Sequence, residues 1–204
     1  MTNQTGNPSS DNIPCAELGG IFLLCRNRQI QPEKMFKDSE VPLQQLLDET
    51  AHISWAQLTD ILAITSRYFD EQDLRQAGRD SWQFGELSGQ GSIGRILLDT
   101  KDQYLAIYGA IGYCTTRFPV ECRIEQSTTK SMTIRLHLTE QVRSSYPFYL
   151  FIAGQMEALP RPLGLGFSDV SLQATDRSAT YVVNFPDEKY FHQLISKSTS
   201  RLHA

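Results

Sequence analysis

The sequence predicts an α+β domain in which a helical N-terminal lobe packs on a four-stranded antiparallel sheet, with strand, strand, helix, strand, strand as the order of its C-terminal half. Three observations carry that prediction. Through the first half, apolar residues recur at spacings of three and four, the period of helices with one buried face. At Pro119 the period switches to two, the mark of strands that bury alternate side chains. The chain is 204 residues long, 40% hydrophobic and 21% charged, which supplies one sizeable core rather than several.

Taken in order, residues 1–12 hold Asn, Thr, Gly, Ser and Pro with almost nothing to bury, and they read as a flexible leader. From Ile13 the pattern turns helical, with Leu18, Ile21, Phe22 and Cys25 on one face and Arg26 and Arg28 at the C-terminal end, where cations suit the helix dipole. Pro32 and Pro42 break the following stretch into short pieces. Ser54 with Gln57 three residues on is a capping box, and it predicts a helix carrying Trp55, Leu58, Ile61, Leu62, Thr65 and Phe69 on its inner face. Helical pieces continue over 71–118, interrupted by the glycines between Gly85 and Gly94. The longest piece starts near Asp102 and carries Gly109 and Gly112, whose missing side chains predict a close approach to its backbone.

Beyond Pro119, Val120, Cys122 and Ile124 alternate with charged residues. After a polar turn at 128–130, Met132, Ile134, Leu136 and Leu138 do the same, so each strand is predicted to have one wet face. Pro147 suits the first turn of a helix whose inward stripe is Phe148, Phe151, Ile152, Met156 and Leu159. A second hairpin follows, with Val170, Leu172 and Ala174 before the turn at 176–178 and Tyr181, Val183 and Phe185 after it. The domain reading is a leader at 1–12, one domain over 13–186 divided into lobes 13–118 and 119–186, and a connecting helix at 187–204.

Composition also excludes function classes. Nineteen Lys and Arg against 23 Asp and Glu give a formal charge of -4, so no positive field exists to hold a phosphate backbone, and no nucleic-acid partner is expected. No apolar run has a membrane-spanning length of about 20 residues, and no basic, apolar secretory leader opens the chain. A cytoplasmic protein without a membrane partner is expected. The four cysteines, Cys15, Cys25, Cys114 and Cys122, form no CxxC pair, so they read as reduced thiols and no metal site is expected. Gly89, Gly91 and Gly94 spell GxGxxG without the surrounding βαβ unit that a dinucleotide site needs. Of the four histidines, His52 is the candidate base, since Glu49 three residues before it could orient the ring, while His137, His192 and His203 read as solvated. HExxH, GxSxG and the P-loop are absent, so no catalytic residue is assigned and the chain is read as a non-enzyme. Cys122 is predicted to face inward from its strand. Cys114 is the redox or thiolate-ligand candidate, and a Cys/His hydrolase built on it and His52 is the enzymatic alternative.

The order of elements, together with Tyr108 to Pro119, Glu121 to Leu138 and Tyr146 to Phe185, resembles the haem-nitric-oxide/oxygen-binding (H-NOX) sensor fold, and Gly154, Leu159, Gly164 and Phe185 fall at matching places. That family has an iron-ligating histidine on its long helix, where this chain has Gly109-Ala110-Ile111-Gly112. Its Tyr-x-Ser-x-Arg signature falls at Leu138 to Val142, which does not match it. The resemblance as it stands therefore implies the sensor fold without histidine ligation, and the cofactor expectation is none. Phe22 to Arg28, Val41 to Leu47 and Ile53 to Trp55 are also similar to the N-terminal sensory regions of bacterial histidine kinases and AraC-type regulators. Together these resemblances imply a signal-transduction domain that binds a small apolar ligand between its lobes. Trp55, Leu62, Tyr104, Tyr108, Ile111, Phe148 and Ile152 would line the site. The C-terminal helix would relay binding to a downstream module, with a homodimer as the expected assembly.

Overall fold

The structure is a computed structural model and describes residues 13–81, 118–128, 130–139, 142–161 and 166–186. In chain order the elements are β1 (Ile13–Pro14), a 3-10 turn (Cys15–Leu18), α1 (Gly19–Asn27), α2 (Pro32–Met35), α3 (Leu43–Leu47), β2 (His52–Ile53), α4 (Trp55–Thr65) and α5 (Glu71–Ser81). There follow β3 (Val120–Ser127), β4 (Ser131–Leu138), α6 (Tyr146–Ala158), β5 (Asp169–Ala174) and β6 (Ser178–Asn184). The strands β3 to β6 form one antiparallel sheet in the order β3-β4-β6-β5, so the α+β prediction and its strand, strand, helix, strand, strand order both hold. The predicted leader, the 89–94 glycines, the Gly109–Gly112 helix and the 187–204 helix lie outside the described residues.

One local prediction fails at the start. Ile13 and Pro14 do not open a helix but pair antiparallel with Ile53 and His52. Proline lacks the amide hydrogen a helix would use there, and Pro14 takes an extended conformation at φ -62, ψ 137. The capping box behaves as read: Ser54 Oγ accepts from the Gln57 amide at 3.2 Å, and Gln57 Oε1 accepts from the Ser54 amide at 2.8 Å. It sets the start of α4, and Trp55, Leu58, Ile61, Leu62 and Thr65 are all buried behind it.

α6 is more deeply set than a one-sided stripe. Besides Phe148, Phe151, Ile152, Met156 and Leu159, it buries Tyr149, Leu150, Ala153, Gly154, Glu157 and Ala158. Each large apolar side chain so enclosed contributes about 1.5–3 kcal/mol of transfer free energy, which makes α6 the central strut of the fold. Sheet, α4 and α5 all pack on it. Its Ser145 cap accepts from the Phe148 amide at 3.3 Å.

The sheet's inner face is Met132, Ile134, Leu136, Leu138, Val170, Ala179, Tyr181 and Val183, all buried. β3 departs from the single wet face predicted for it. It is an edge strand with a register shift between Ile124 and Gln126, and Ile124 is 38% exposed although it alternates with the charged residues. An edge has a neighbour on one side only, so the core does not cover its outer half.

Three helices meet with almost no side chains between them. A Cβ placed on Gly78 of α5 would lie 2.0 Å from the Phe151 carbonyl oxygen of α6, and one on Gly154 of α6 would lie 1.9 Å from that of Arg75. A Cβ on Gly20 of α1 would lie 1.9 Å from the Ala77 carbonyl oxygen. Only glycine allows backbones this close. No helix among the described residues is long and apolar enough to cross a membrane.

Candidate functional site

The N-terminal helices meet α6 and the start of the sheet at an aromatic contact. Trp55, placed by its cap at the first turn of α4, stands edge-on to Phe148 in the first turn of α6, with ring centroids 4.8 Å apart and planes at 77°. Phe118, just before β3, closes the group at 5.2 Å from Phe148 and 6.4 Å from Trp55. The indole Nε1 donates to the Arg143 carbonyl at 2.9 Å, and Arg143 pairs in turn with Asp60 of α4. Edge-to-face geometry of this kind adds about 0.5–1.5 kcal/mol per pair beyond burial. Of the seven residues predicted to line a ligand site, Trp55 and Phe148 touch here, while Leu62 and Ile152 are buried in the same core. Tyr104, Tyr108, Ile111 and the thiol Cys114 lie outside the described residues.

Behind Phe148 sit two buried phenols. Tyr181 Oη donates to the Tyr149 carbonyl at 3.1 Å, whereas the Tyr149 hydroxyl has no hydrogen-bond partner among the described residues. Burial, reinforced by Asp176 and opposed by Arg177, pushes Tyr149 up to about 12. Tyr181 is pushed well above the usual phenol range, again chiefly by burial. Both remain neutral near pH 7.

The described residues offer little for nucleophilic or metal chemistry. Burial drives the Cys25 thiol up to about 11 and raises that of Cys15, where Asp48 adds to the effect. Such thiols stay protonated and are weak nucleophiles and ligands. Cys122 faces the core from β3 as its alternation predicts, and is half-buried because its strand is the sheet edge. His137 is exposed on the outer face of the sheet, as its alternation implied. His52 is also exposed, and its backbone carbonyl accepts from Gln45 Nε2 at 3.0 Å. No group of three or more His, Cys, Asp or Glu side chains is placed to hold a metal ion among the described residues.

Two open clefts are lined by described residues. One of about 260 Å³ lies between α1 and α3, with Phe22, Leu23, Leu46 and Leu47 as its apolar wall and Arg26 and Glu49 beside it. The other, about 220 Å³, runs between α4 and residues 38–40 and holds Asp38, Glu40, Asp60, Arg67 and Arg143. Neither includes Trp55, Leu62, Phe148 or Ile152.

Sequence reasoning passed over the polar centre of the α5–α6 crossing. Glu157 of α6 is buried and takes Arg75 and Arg79 of α5, each at 2.5 Å. A signal was available: glycines inside helical patterns mark close backbone approach, and Gly20, Gly78 and Gly154 carry it as clearly as Gly109 and Gly112.

No protein-family model matches this sequence, and no curated protein matches it in sequence. Solved structures do match in fold. The Fe(II) unliganded H-NOX protein from K. algicida superposes with a TM-score of 0.61 at 13% identity, over 87% of this chain and 99% of that one. A Cs H-NOX mutant carrying an unnatural amino acid superposes at 0.54 and 11% identity, over 86% of this chain and 97% of its own. A structure described as probing heme distortion in the H-NOX family superposes at 0.51 and 11% identity, over 86% of this chain and 96% of its own. The chain therefore has an H-NOX-like fold. These neighbours overturn the expectation of no cofactor, since Fe(II) and heme figure in their descriptions. The physical reason is that a missing histidine removes one donor and not the chemistry: haem iron is also held by cysteine thiolate or tyrosinate.

Proposed function

We propose that this chain is a non-enzymatic sensory domain that carries haem between its lobes and reads a small apolar ligand there. The observation that supports it most is the H-NOX-like fold, which extends over 87% of this chain and 99% of the K. algicida protein. Haem would supply an iron centre able to bind such a ligand.

The described residues fit part of that role. Trp55, Phe118 and Phe148 form an apolar, buried junction between α4, α6 and the start of β3, and the neutral phenols of Tyr149 and Tyr181 add no charge behind it. Cys15 and Cys25 hold their protons and His52 and His137 are exposed, so none of these four is placed to hold the iron. The donor candidates are the sequence's Tyr104, Tyr108 and Cys114. A ligand that favours one arrangement of the lobes shifts the population toward it, and the 187–204 segment would pass that shift to a histidine-kinase-type output module, in a homodimer and in the cytoplasm. Any kinase activity would belong to that module.

Absorption spectroscopy tests the reading. Protein reconstituted with haemin is expected to show a stoichiometric Soret band, and one variant among Tyr104→Phe, Tyr108→Phe and Cys114→Ala is expected to shift or abolish it. Protein that takes up no haemin at stoichiometric concentration overturns it.

A further inference from the structure

We infer that the Arg75–Glu157–Arg79 cluster selects a single docking angle between the helical lobe and the sheet lobe, and does so without adding net stability. The inference is independent of what the lobes bind. Each oxygen of the Glu157 carboxylate takes one guanidinium, Arg75 Nη2 on Oε1 and Arg79 Nη1 on Oε2, both at 2.5 Å. The two arginines stand four apart on α5, so they present their forks from successive turns of one face. Arg75 reaches further and donates to the Val170 carbonyl of β5, while Arg79 Nε donates to Gln76 Oε1 at 3.0 Å. The Glu157 carbonyl accepts from the Ser168 amide at 2.9 Å, just ahead of β5. The carboxylate thereby ties α6 to α5, and Arg75 carries the tie on to β5.

The need for such a tie follows from the contact beside it. Interdigitating side chains ordinarily set the angle between packed helices. At Gly78 and Gly154 there are none, and the two backbones meet directly. A smooth contact of this kind attracts strongly but is indifferent to small rotations. Charge-assisted forks are directional and supply the missing constraint.

Their energetics suit selection rather than strength. The Glu157 side chain is only 8% exposed, and desolvating a carboxylate and two guanidiniums offsets most of the Coulombic gain. The Arg75 Nε is buried without a hydrogen-bond partner among the described residues, a penalty that a cluster built for stability would not carry.

Thermal melts and amide hydrogen exchange on the full chain separate the two roles. Glu157→Gln leaves two cations facing a neutral group, and its Tm is expected to fall by about 5–10 °C. The combined variant Arg75→Met, Arg79→Met, Glu157→Leu is expected to melt within about 3 °C of the parent. Its amides in α5, α6 and β5 should nevertheless exchange about tenfold faster. Arg75→Lys keeps the charge on a shorter side chain, whose ammonium stops short of the position from which Arg75 Nη2 alone meets both Glu157 Oε1 and the Val170 carbonyl, and it is expected to show the same faster exchange in a folded protein. The inference is overturned if the combined variant fails to fold or loses as much Tm as Glu157→Gln. It is equally overturned if exchange in the combined variant, or in Arg75→Lys, matches the parent.

Discussion

Two of the contacts that α6 makes with the N-terminal helices are built on opposite principles. At the α5–α6 crossing, backbone meets backbone through Gly78 and Gly154, with no side-chain atom between. At the Trp55–Phe118–Phe148 group the contact is made by three large rings packed edge to face. The difference decides what each contact tolerates. A ring cluster loses energy in proportion to what is removed, because neighbours relax partly into the space. A backbone contact cannot accept even one added carbon, because nothing flexible lies there to give way.

The most severe test of that contrast is Gly154→Ala. Its methyl would need to sit 1.9 Å from the Arg75 carbonyl oxygen, so the helices must separate, at a cost of about 4–5 kcal/mol. Chemical denaturation should show it, and a loss under about 1 kcal/mol would mean that the crossing is not rigid. Phe148→Ala removes the central ring of the other contact and is expected to cost about 3–4 kcal/mol. Unlike the glycine variant, it leaves room, so a small apolar molecule such as benzene should recover part of the lost Tm.

The smallest effects come from the phenols behind Phe148, and they separate two groups that look alike in sequence. Tyr181→Phe breaks a buried hydrogen bond to the Tyr149 carbonyl, a loss of about 1 kcal/mol. Tyr149→Phe deletes a buried hydroxyl with no partner among the described residues, so stability should hold or rise slightly. Both phenols are harder to ionise folded than unfolded, and the sign of the pH effect follows. Stability is full below pH 10, where both states are protonated. It falls as pH rises from 10 toward about 12, where the unfolded chain gives up protons that folded Tyr149 retains. Tyr149→Phe should flatten that alkaline fall, and an unchanged profile would show that its hydroxyl is hydrated.

Local chemistry made much of this fold legible. The Ser54 box marked the start of α4, Pro147 the first turn of α6, and the period-two runs located all four strands of the main sheet. Each signal involves residues within a few positions of one another. Ile13–Pro14 was misread because the partner that makes it a strand, His52–Ile53, lies far along the chain. The polar face predicted for β3 failed in part for a related reason, since alternation tells which way a side chain points but not whether its strand is at the edge. The expectation of no cofactor came from treating one histidine as the whole donor set.

By itself, then, the sequence determined element types, their order and the α+β class, because helix and strand periods, caps and prolines act over a few residues. Tertiary structure alone decided which backbones Gly20, Gly78 and Gly154 meet and that Tyr149 and Tyr181 differ. It also paired Glu157 with Arg79 across 78 residues. Those outcomes depend on which surfaces meet once the chain has closed on itself, and no short-range pattern encodes the distance between two helices.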